Sequence, residues 1–232
     1  MFDRPISPGT EHAMGARALA ASPDVRAATV FVVDDEDGVR RSVSRLVRSE
    51  GMQSQSFNSP TEFLKCDLPA GPACVVLDMY LDPMTGLEVQ AVVRSRPRPL
   101  PVVFLSGRST VSDVAAGFKA GARDFLEKPV KPDELLGAIR RALRRDAADR
   151  ADAAVLDELR RRHALLTARE AEVMTLLVGG MLNKQVAAEL GIAEKTVKVH
   201  RARVMEKMGV VAFATLVGMA QRLGLTGDSA SG

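Results

Sequence analysis

The chain has 232 residues, of which 32 are lysine or arginine and 29 are aspartate or glutamate, giving a formal net charge of +3. Hydrophobic residues make up 46% and charged residues 26% of the sequence, a balance typical of globular proteins and unlike that of disordered chains. No apolar run approaches the ~20 residues that a membrane span needs, and two cysteines are too few for a disulfide framework or a zinc site. We therefore expect a cytoplasmic protein of one or two domains without membrane association.

The first 27 residues combine proline and glycine with alanine and show no periodicity, so we predict a flexible N-terminal arm over residues 1–27. From residue 28 to about 142, short apolar runs alternate with stretches of helical spacing. This alternation predicts an α/β fold in which helices cover both faces of a parallel sheet. The predicted strands are Thr29–Val33, Gln53–Phe57, Cys74–Leu77, Val102–Leu105 and Asp124–Leu126. The predicted helices cover Val39–Val47, Thr61–Leu64, Leu87–Arg94, Val111–Lys119 and the residues from Pro132 onward.

The sequence after residue 142 carries no further strand signal. Residues 143–161 are rich in arginine, aspartate and alanine, which predicts a helical linker, and this composition leaves open whether it is a rigid helix or a hinge. Residues 162–225 show helical periodicity in short pieces, which predicts an all-α second domain of four helices followed by a flexible tail at 226–232. The helix ends are indicated by a capping box of Thr167 and Glu170, by Gly179–Gly180, by Asn183 as a possible cap, and by Gly191 and Gly209.

Charged and polar residues follow four of the predicted strands. Asp34 and Asp35 follow the first strand, Asp78 the third, Ser106 the fourth and Lys128 the fifth. Because the carboxyl ends of parallel strands meet at one edge of a sheet, we expect these groups to converge there. Three packed carboxylates repel one another without a hard divalent cation, and oxygen ligands favour Mg²⁺. A carboxylate at such a site can attack a phosphoryl group, whose oxygens the ammonium and hydroxyl would hold.

These residues lie in segments that resemble the receiver domain of two-component response regulators: TVFVVDDEDGVRRSV, CVVLDMYLDPMTG, VVFLSGRS and ARDFLEKPVKPDEL. The resemblance covers residues 28–142 and implies a flavodoxin-like five-stranded sheet of order 2-1-3-4-5. It implies that Asp78 is the phospho-acceptor, and that Mg²⁺ is held by Asp34, Asp35, Asp78 and the backbone carbonyl of Tyr80, with Asp35 the more direct of the acidic pair. The other implied roles are the switch hydroxyl for Ser106, the switch aromatic for Phe125 and the phosphate-binding ammonium for Lys128.

One position departs from the receiver pattern. The family usually has proline four residues after the phospho-accepting aspartate, whereas this chain has Asp82 followed by Pro83. We expect an extra carboxylate near the metal, with an altered Mg²⁺ affinity or phosphoryl lifetime. An aspartate-nucleophile phosphatase of the haloacid-dehalogenase type is an alternative, but such enzymes need an acid two residues after the nucleophile, where this chain has Tyr80.

The second domain contains a helix-turn-helix pattern. Asn183–Gly191 reads as a short helix, and Glu194–Met208 is the helix that would enter the major groove of DNA. This second helix carries five basic residues against two acidic ones, which suits contacts to phosphate and to base edges. Its core-facing residues are predicted to be Val197, Val204 and Met208.

The run LTAREAEVMTLLVGGMLNKQVAAELGIAEKTVKVHRARVMEKMGV resembles the LuxR-type DNA-binding domain, and within it the FixJ-like branch, over residues 162–225. In this family His200 would support a phosphate contact or pack in the domain. The predicted DNA contacts are Lys195, Thr196, Lys198, Val199, Arg201, Arg203 and Lys207.

Together the two resemblances imply a response regulator that controls transcription and is not an enzyme in its own right. Its expected partners are a cognate histidine kinase, double-stranded DNA, RNA polymerase and a second copy of the chain. Phosphorylation would drive homodimerisation through the face formed by the helices at Val111–Lys119 and from Pro132. Three alternatives stay open: a constitutive DNA-binding regulator that needs no phosphorylation, a phosphatase-type enzyme, and a protein-interaction module.

Overall fold

The computed structural model describes residues 27–107, 115, 117, 119, 121–122 and 124–226. The chain divides into two compact units, Met1–Ala148 and Asp149–Gly232. The predicted N-terminal arm lies outside the described residues except for residue 27, and the predicted tail lies outside them except for residue 226.

The first unit is built on a parallel sheet of order β2-β1-β3-β4-β5 among the described residues, which confirms the predicted fold. β1 and β3 are neighbours, with Val33 paired to Leu77, so the chain leaves both strands side by side. The strands are β1 (Thr29–Val33), β2 (Gln53–Phe57), β3 (Ala73–Asp78), β4 (Val102–Ser106) and β5 (Asp124–Glu127).

The helices of the first unit begin where the sequence supplies capping groups. Thr85 and Glu88 form a capping box at the start of α3, and the hydroxyl of Ser59 accepts a hydrogen bond from Thr61 N–H at the start of α2. Of the predicted helix Val111–Lys119, the described residues 115, 117 and 119 are helical and the others lie outside the described residues. The helices are α1 (Asp37–Ser49), α2 (Pro60–Lys65), α3 (Gly86–Arg94) and α4 (Pro132–Ala164).

Both faces of the sheet are buried, as expected for parallel strands between helices. Successive residues of β1 supply opposite faces: Val30 and Val32 pack with α1 and α4, whereas Phe31 and Val33 pack with α2 and α3. Every residue of β1, β3 and β4 is buried. The sheet is therefore a rigid platform whose carboxyl edge holds the groups described below.

Asp146 anchors α4 to this platform beyond the predicted domain boundary at residue 142. Its side chain is buried, and Oδ2 accepts hydrogen bonds from the backbone N–H of Ala73 and from Arg98 Nη2, both at 2.8 Å. Arg98 also donates to the backbone carbonyl of Gly71. The first part of the predicted linker therefore packs as part of the first unit, which extends to residue 148.

Replacing Asp146 by alanine is expected to lower the free energy of unfolding of the first unit by about 2–3 kcal/mol, because a buried N–H and a partly buried guanidinium lose their acceptor. Urea unfolding followed by the fluorescence of Tyr80, the single tyrosine of a chain without tryptophan, measures this change. Asp157→Ala is the matched control, since Asp157 is exposed on the same helix and pairs with Arg160 three residues away; it should cost about 0.5 kcal/mol or less. Equal effects of the two substitutions would contradict the anchoring role.

The described part of the second unit contains short helices after the end of α4: α5 (Ala168–Val178), α6 (Asn183–Leu190), α7 (Glu194–Met208) and α8 (Phe213–Arg222). The predicted capping box of Thr167 and Glu170 is present. Gly191 and Gly209 end α6 and α7 in the left-handed conformation, with φ of 65° and 69°, which favours glycine.

The prediction that Asn183 caps α6 is wrong. Asn183 is the first helical residue, and Leu182 occupies the cap position, where its backbone N–H donates to Gln185 Oε1 at 2.8 Å. The glutamine in the first turn thus accepts the N–H of the cap residue, and no side chain at the cap position accepts an N–H of the first turn.

The helices of the second unit pack around two small apolar clusters, one containing Met174, Val204, Met208 and Leu216 and the other containing Val173, Leu177, Val186 and Val197. α7 contributes to both clusters, which fixes its outward face. Among the described residues, no single helix is long and apolar enough to cross a membrane. The pair α7 and α8, bent by 65° at their junction, has that length and apolar composition only when the two helices are taken together.

Candidate metal centre and nucleic-acid interface

The carboxyl edge of the sheet brings together the acidic residues that the sequence predicts. Asp34 follows β1, Asp78 ends β3, and each of Asp34, Asp35 and Asp78 places a carboxylate oxygen within 4.8 Å of the others. Asp34 and Asp78 are buried and Asp35 is exposed. Three carboxylate oxygens at this spacing, one of them open to solvent, form a donor set that fits Mg²⁺, which prefers oxygen ligands and retains water.

Glycine at position 86 lets α3 approach the strand that carries Asp78. A Cβ at Gly86 would lie 2.4 Å from the backbone carbonyl oxygen of Asp78, and the Gly86 N–H donates to the carbonyl of Met79 at 2.9 Å. The start of α3 therefore packs directly on the backbone just after Asp78.

Lys128 lies among the carboxylates. Its Nζ is 2.8 Å from Asp34 Oδ2, 3.1 Å from Glu36 Oε1 and 3.5 Å from Asp78 Oδ2, and its backbone N–H donates to the carbonyl of Ser106 at 2.8 Å. Burial opposes the charge of the ammonium, but the hydrogen bond and charge of Asp34, aided by Asp78 and Glu36, outweigh it and raise the pKa of Lys128. The ammonium therefore stays charged and supplies the cation of the cluster.

Asp78 sits on the floor of an open cleft lined by Asp35, Glu36, Tyr80, Gly107 and Lys128. Burial raises the pKa of Asp78, and the charge of Asp34 raises it further, whereas Lys128 and the backbone N–H groups of Met79 and Tyr80 oppose the rise. A positive charge added beside Asp78 would favour its carboxylate form. The arrangement thus suits a nucleophilic carboxylate that works with a divalent cation.

The two predicted switch residues lie on neighbouring strands beside this cleft. Ser106 is buried at the end of β4, one residue beyond the partner of Asp78 in the β3–β4 register. Phe125 is half-buried in β5, with its ring centroid 5.9 Å from that of Phe104, and Gly117 lies beside both rings. The structure therefore places both residues where a change at the cleft could reach the surface beside β5.

Asp82 does not join the acidic group. It is exposed, and the closely spaced carboxylates among the described residues are those of Asp34, Asp35 and Asp78. The expected extra carboxylate beside the metal is therefore not found, although the effect of Asp82 on Mg²⁺ affinity stays a prediction.

The sequence interpretation missed two residues at the β1–α1 junction. Glu36 pairs with Lys128, as given above, and Arg40 binds the backbone of Asp34 and Asp35 from the first turn of α1. The acidic run around Glu36 was visible in the sequence, but no pattern marked Arg40, because its partners are backbone carbonyls.

The second predicted site is the outward face of α7. The predicted core residues Val197, Val204 and Met208 are buried, and most of the predicted DNA contacts lie on the surface. Arg201 is half-buried, with its guanidinium 4.7 Å from the ring centroid of Phe213, which holds its side chain against α8. The exposed members of the predicted set are Lys195, Thr196, Lys198, Val199 and Arg203.

Lys207 has partners within the second unit. Its Nζ lies 2.6 Å from Glu170 Oε2 and donates to the backbone carbonyl of Leu165 at 3.0 Å. Its DNA contact stays a prediction. His200 is half-buried on the same helix, and its Nδ1 is buried with no hydrogen-bond partner among the described residues. Its role, packing or support of a phosphate contact, stays a prediction. Periodicity placed Lys207 at the edge of the exposed face but could not show that a buried carboxylate from α5 meets it.

The Glu170–Lys207 pair is expected to make the second unit sensitive to acid. The hydrogen bond from Lys207, with the one from Thr167 N–H, lowers the pKa of Glu170 to about 2. A lowered carboxyl pKa stabilises the folded state fully above the ordinary value of about 4.3, and this stabilisation is lost as the pH falls toward 2. Lys207→Met should therefore destabilise the second unit at pH 7, and its difference from the unsubstituted chain should shrink between about pH 4.5 and 2. Hydrogen exchange of α5 and α7 across this pH range tests the prediction, and a difference that stays constant with pH would contradict it.

Comparison with known families agrees with both domains. The family model described as the response regulator receiver domain matches residues 30–140, and the model described as bacterial regulatory proteins of the luxR family matches residues 164–220. The chain is 38% identical over 198 residues to response regulator protein TodT of Pseudomonas putida, covering 85% of this chain and 87% of that protein. It is 35% identical over 196 residues to transcriptional regulatory protein FixJ of Azorhizobium caulinodans, covering 84% and 93%.

Two solved structures are also similar over most of the chain. Response regulator StyR has a TM-score of 0.72 at 39% identity, covering 84% of this chain and 98% of StyR. FixJ from B. japonicum has a TM-score of 0.50 at 32% identity, covering 86% and 98%.

Proposed function

The chain belongs to the two-component response regulators that join a receiver domain to a LuxR-type DNA-binding domain, and from this premise we propose that phosphorylation of Asp78 controls its binding to DNA. A cognate histidine kinase donates the phosphoryl group. The phosphorylated chain dimerises, binds double-stranded DNA and acts on RNA polymerase to regulate transcription in the cytoplasm. The observation that carries the proposal is the placement of the Asp78 carboxylate in an open cleft beside two further carboxylates and the ammonium of Lys128.

In the proposed reaction, a carboxylate oxygen of Asp78 forms a bond to phosphorus as the bond from phosphorus to the kinase histidine nitrogen breaks. The electron pair of that bond stays on the leaving imidazole, which takes up a proton from solvent. Asp34, Asp35, Asp78 and the backbone carbonyl of Tyr80 would hold Mg²⁺, which would neutralise negative charge at the phosphoryl group. Lys128 and the hydroxyl of Ser106 bind the phosphoryl oxygens.

The proposed switch runs from Ser106 to Phe125. When Ser106 moves toward the phosphoryl group, it leaves space beside β5 that the Phe125 ring can enter. Support comes from the half-buried position of Phe125, its contact with Phe104 and the close packing of both rings against Gly117. This movement repacks the face made by the predicted helix Val111–Lys119 and by α4, through which two receivers pair.

DNA binding by the second unit would use the exposed face of α7. Its lysine and arginine side chains contact phosphates, and residues near the start of the helix read base edges in the major groove. Two linked DNA-binding units engage neighbouring half-sites at a high effective concentration, so dimerisation alone can raise occupancy.

The intact mass of the full chain after incubation with Mg²⁺ and a small-molecule phosphoryl donor tests the proposed modification, with Asp78→Asn in parallel. We expect one added phosphoryl group on the unsubstituted chain and none on the variant. Equal addition to the unsubstituted chain and the variant would show that a residue other than Asp78 accepts the phosphoryl group. No addition to either would contradict the proposal and favour a regulator that binds DNA without phosphorylation.

A further inference from the structure

Arg40 binds the backbone that carries the acidic pair. From the first turn of α1, its Nη1 donates to the carbonyl oxygens of Asp34 and Asp35, both at 2.8 Å, and its Nη2 donates to Asp37 Oδ1 at 3.1 Å. The side chain of Arg40 is only 15% exposed. Its hydrogen bond to Asp34 is partly buried, whereas those to Asp35 and Asp37 lie at the surface. One guanidinium thus joins the end of β1 to the start of α1.

Arg40 contacts the stretch of backbone from which the carboxylates of Asp34 and Asp35 project. The side chain of Asp34 has further support, since its Oδ1 accepts the Glu36 N–H at 2.9 Å and its Oδ2 pairs with Lys128. Asp35 is the exposed member of the acidic group, so the direction of its carboxylate depends on the conformation of the backbone at Asp34 and Asp35. That backbone is what Arg40 holds.

We propose that Arg40 is a positioning residue for the Mg²⁺ site, an inference that rests on the proposed function. Its Nη1 donates to two successive carbonyls while Nη2 of the same rigid guanidinium reaches Asp37. The single nitrogen of a lysine ammonium cannot make this set of contacts with the same geometry. Arg40 thereby directs the Asp35 carboxylate toward those of Asp34 and Asp78. Loss of a group that orients metal ligands typically weakens metal binding by about 10- to 100-fold.

If Arg40 acted only through its charge, its loss would change the Mg²⁺ affinity in the opposite direction from the change expected if it positions the metal ligands. Removing a positive charge near a cation site strengthens cation binding by Coulomb attraction alone. Removing a residue that positions the ligands weakens it. Arg41 offers a matched control, because it is adjacent, 72% exposed and pairs with the same Asp37 through Oδ2 at 2.7 Å. Among the hydrogen bonds of the described residues, those to the Asp34 and Asp35 carbonyls come from Arg40 and not from Arg41.

The test measures the Mg²⁺ dissociation constant of the full chain from the dependence of the urea midpoint on Mg²⁺ concentration, which separates metal affinity from stability without metal. We expect Arg40→Met to raise the dissociation constant about 10-fold or more, Arg40→Lys to recover only part of this loss, and Arg41→Met to leave it unchanged or slightly lower. Equal or tighter binding in Arg40→Met, or full recovery in Arg40→Lys, would overturn the positioning role. If Mg²⁺ did not stabilise the unsubstituted chain, the proposed metal site itself would fail, and the role of Arg40 with it.

Discussion

Lys128→Met is expected to make the stability of the receiver depend more strongly on Mg²⁺ than it does in the unsubstituted chain, and to slow phosphoryl transfer to Asp78. The ammonium is the cation that lies between the buried carboxylates of Asp34 and Asp78 and pairs with Glu36. Without it, two buried negative charges face each other with no compensating cation, at a cost of about 2–4 kcal/mol. Saturating Mg²⁺ should recover most of this loss, because the metal replaces the missing positive charge.

Urea unfolding followed by Tyr80 fluorescence, with and without Mg²⁺, measures the stability, and intact mass against time measures phosphoryl transfer. The rate should fall about 100-fold, as for the loss of one preorganised donor to a charged transition state. Lys131→Met is the matched control, since Lys131 is 81% exposed on the same segment and pairs only weakly with Glu134 at 3.5 Å. Similar losses for Lys128→Met and Lys131→Met would show that the position of Lys128 in the cluster does not matter.

Simultaneous replacement of Lys195, Lys198 and Arg203 by alanine is expected to weaken DNA binding about 100-fold at low salt. All three side chains are exposed on α7, and their removal leaves the buried Val197 and Val204 in place. The logarithm of the binding constant falls with that of salt concentration by about 0.9 per phosphate contact, so the slope should become shallower by up to about 2.7.

Fluorescence anisotropy with a labelled duplex over a series of potassium chloride concentrations measures both quantities. Arg222→Ala serves as control, because Arg222 is exposed on α8 and pairs with Asp152 at 3.5 Å; it should leave the slope unchanged. A slope that is the same for the triple variant and the control would place the DNA contacts on another surface.

The sequence was sufficient for the fold and for the convergence of the acidic group, because both follow from patterns that strands impose. Apolar runs locate buried strands, and residues that end parallel strands must meet at one edge. Asp34 and Asp78 could therefore be placed near each other although 44 residues separate them. The ends of two helices at Gly191 and Gly209 could also be predicted from the sequence, because the left-handed conformation at a helix end favours glycine.

The partners of charged residues could not be predicted in the same way. Periodicity assigns a residue to a helix face, but it does not show which charge on a polar face meets a buried group from another element. Asp146 belonged to a stretch that reads as solvated, yet it is buried against Arg98 and the start of β3. Lys207 looked like a DNA contact, yet Glu170 of another helix holds it.

The most direct test of the central claim is the DNA affinity of the full chain before and after phosphorylation, measured beside Asp78→Asn. The duplex carries two neighbouring half-sites obtained by selection for binding to the chain. We predict that incubation with Mg²⁺ and a small-molecule phosphoryl donor tightens binding of the unsubstituted chain to this duplex by about 100-fold, as expected when two linked sites act together. The variant should stay at the affinity of the untreated chain. Equal affinities with and without phosphorylation, in a chain whose mass shows the added phosphoryl group, would contradict control of DNA binding by Asp78.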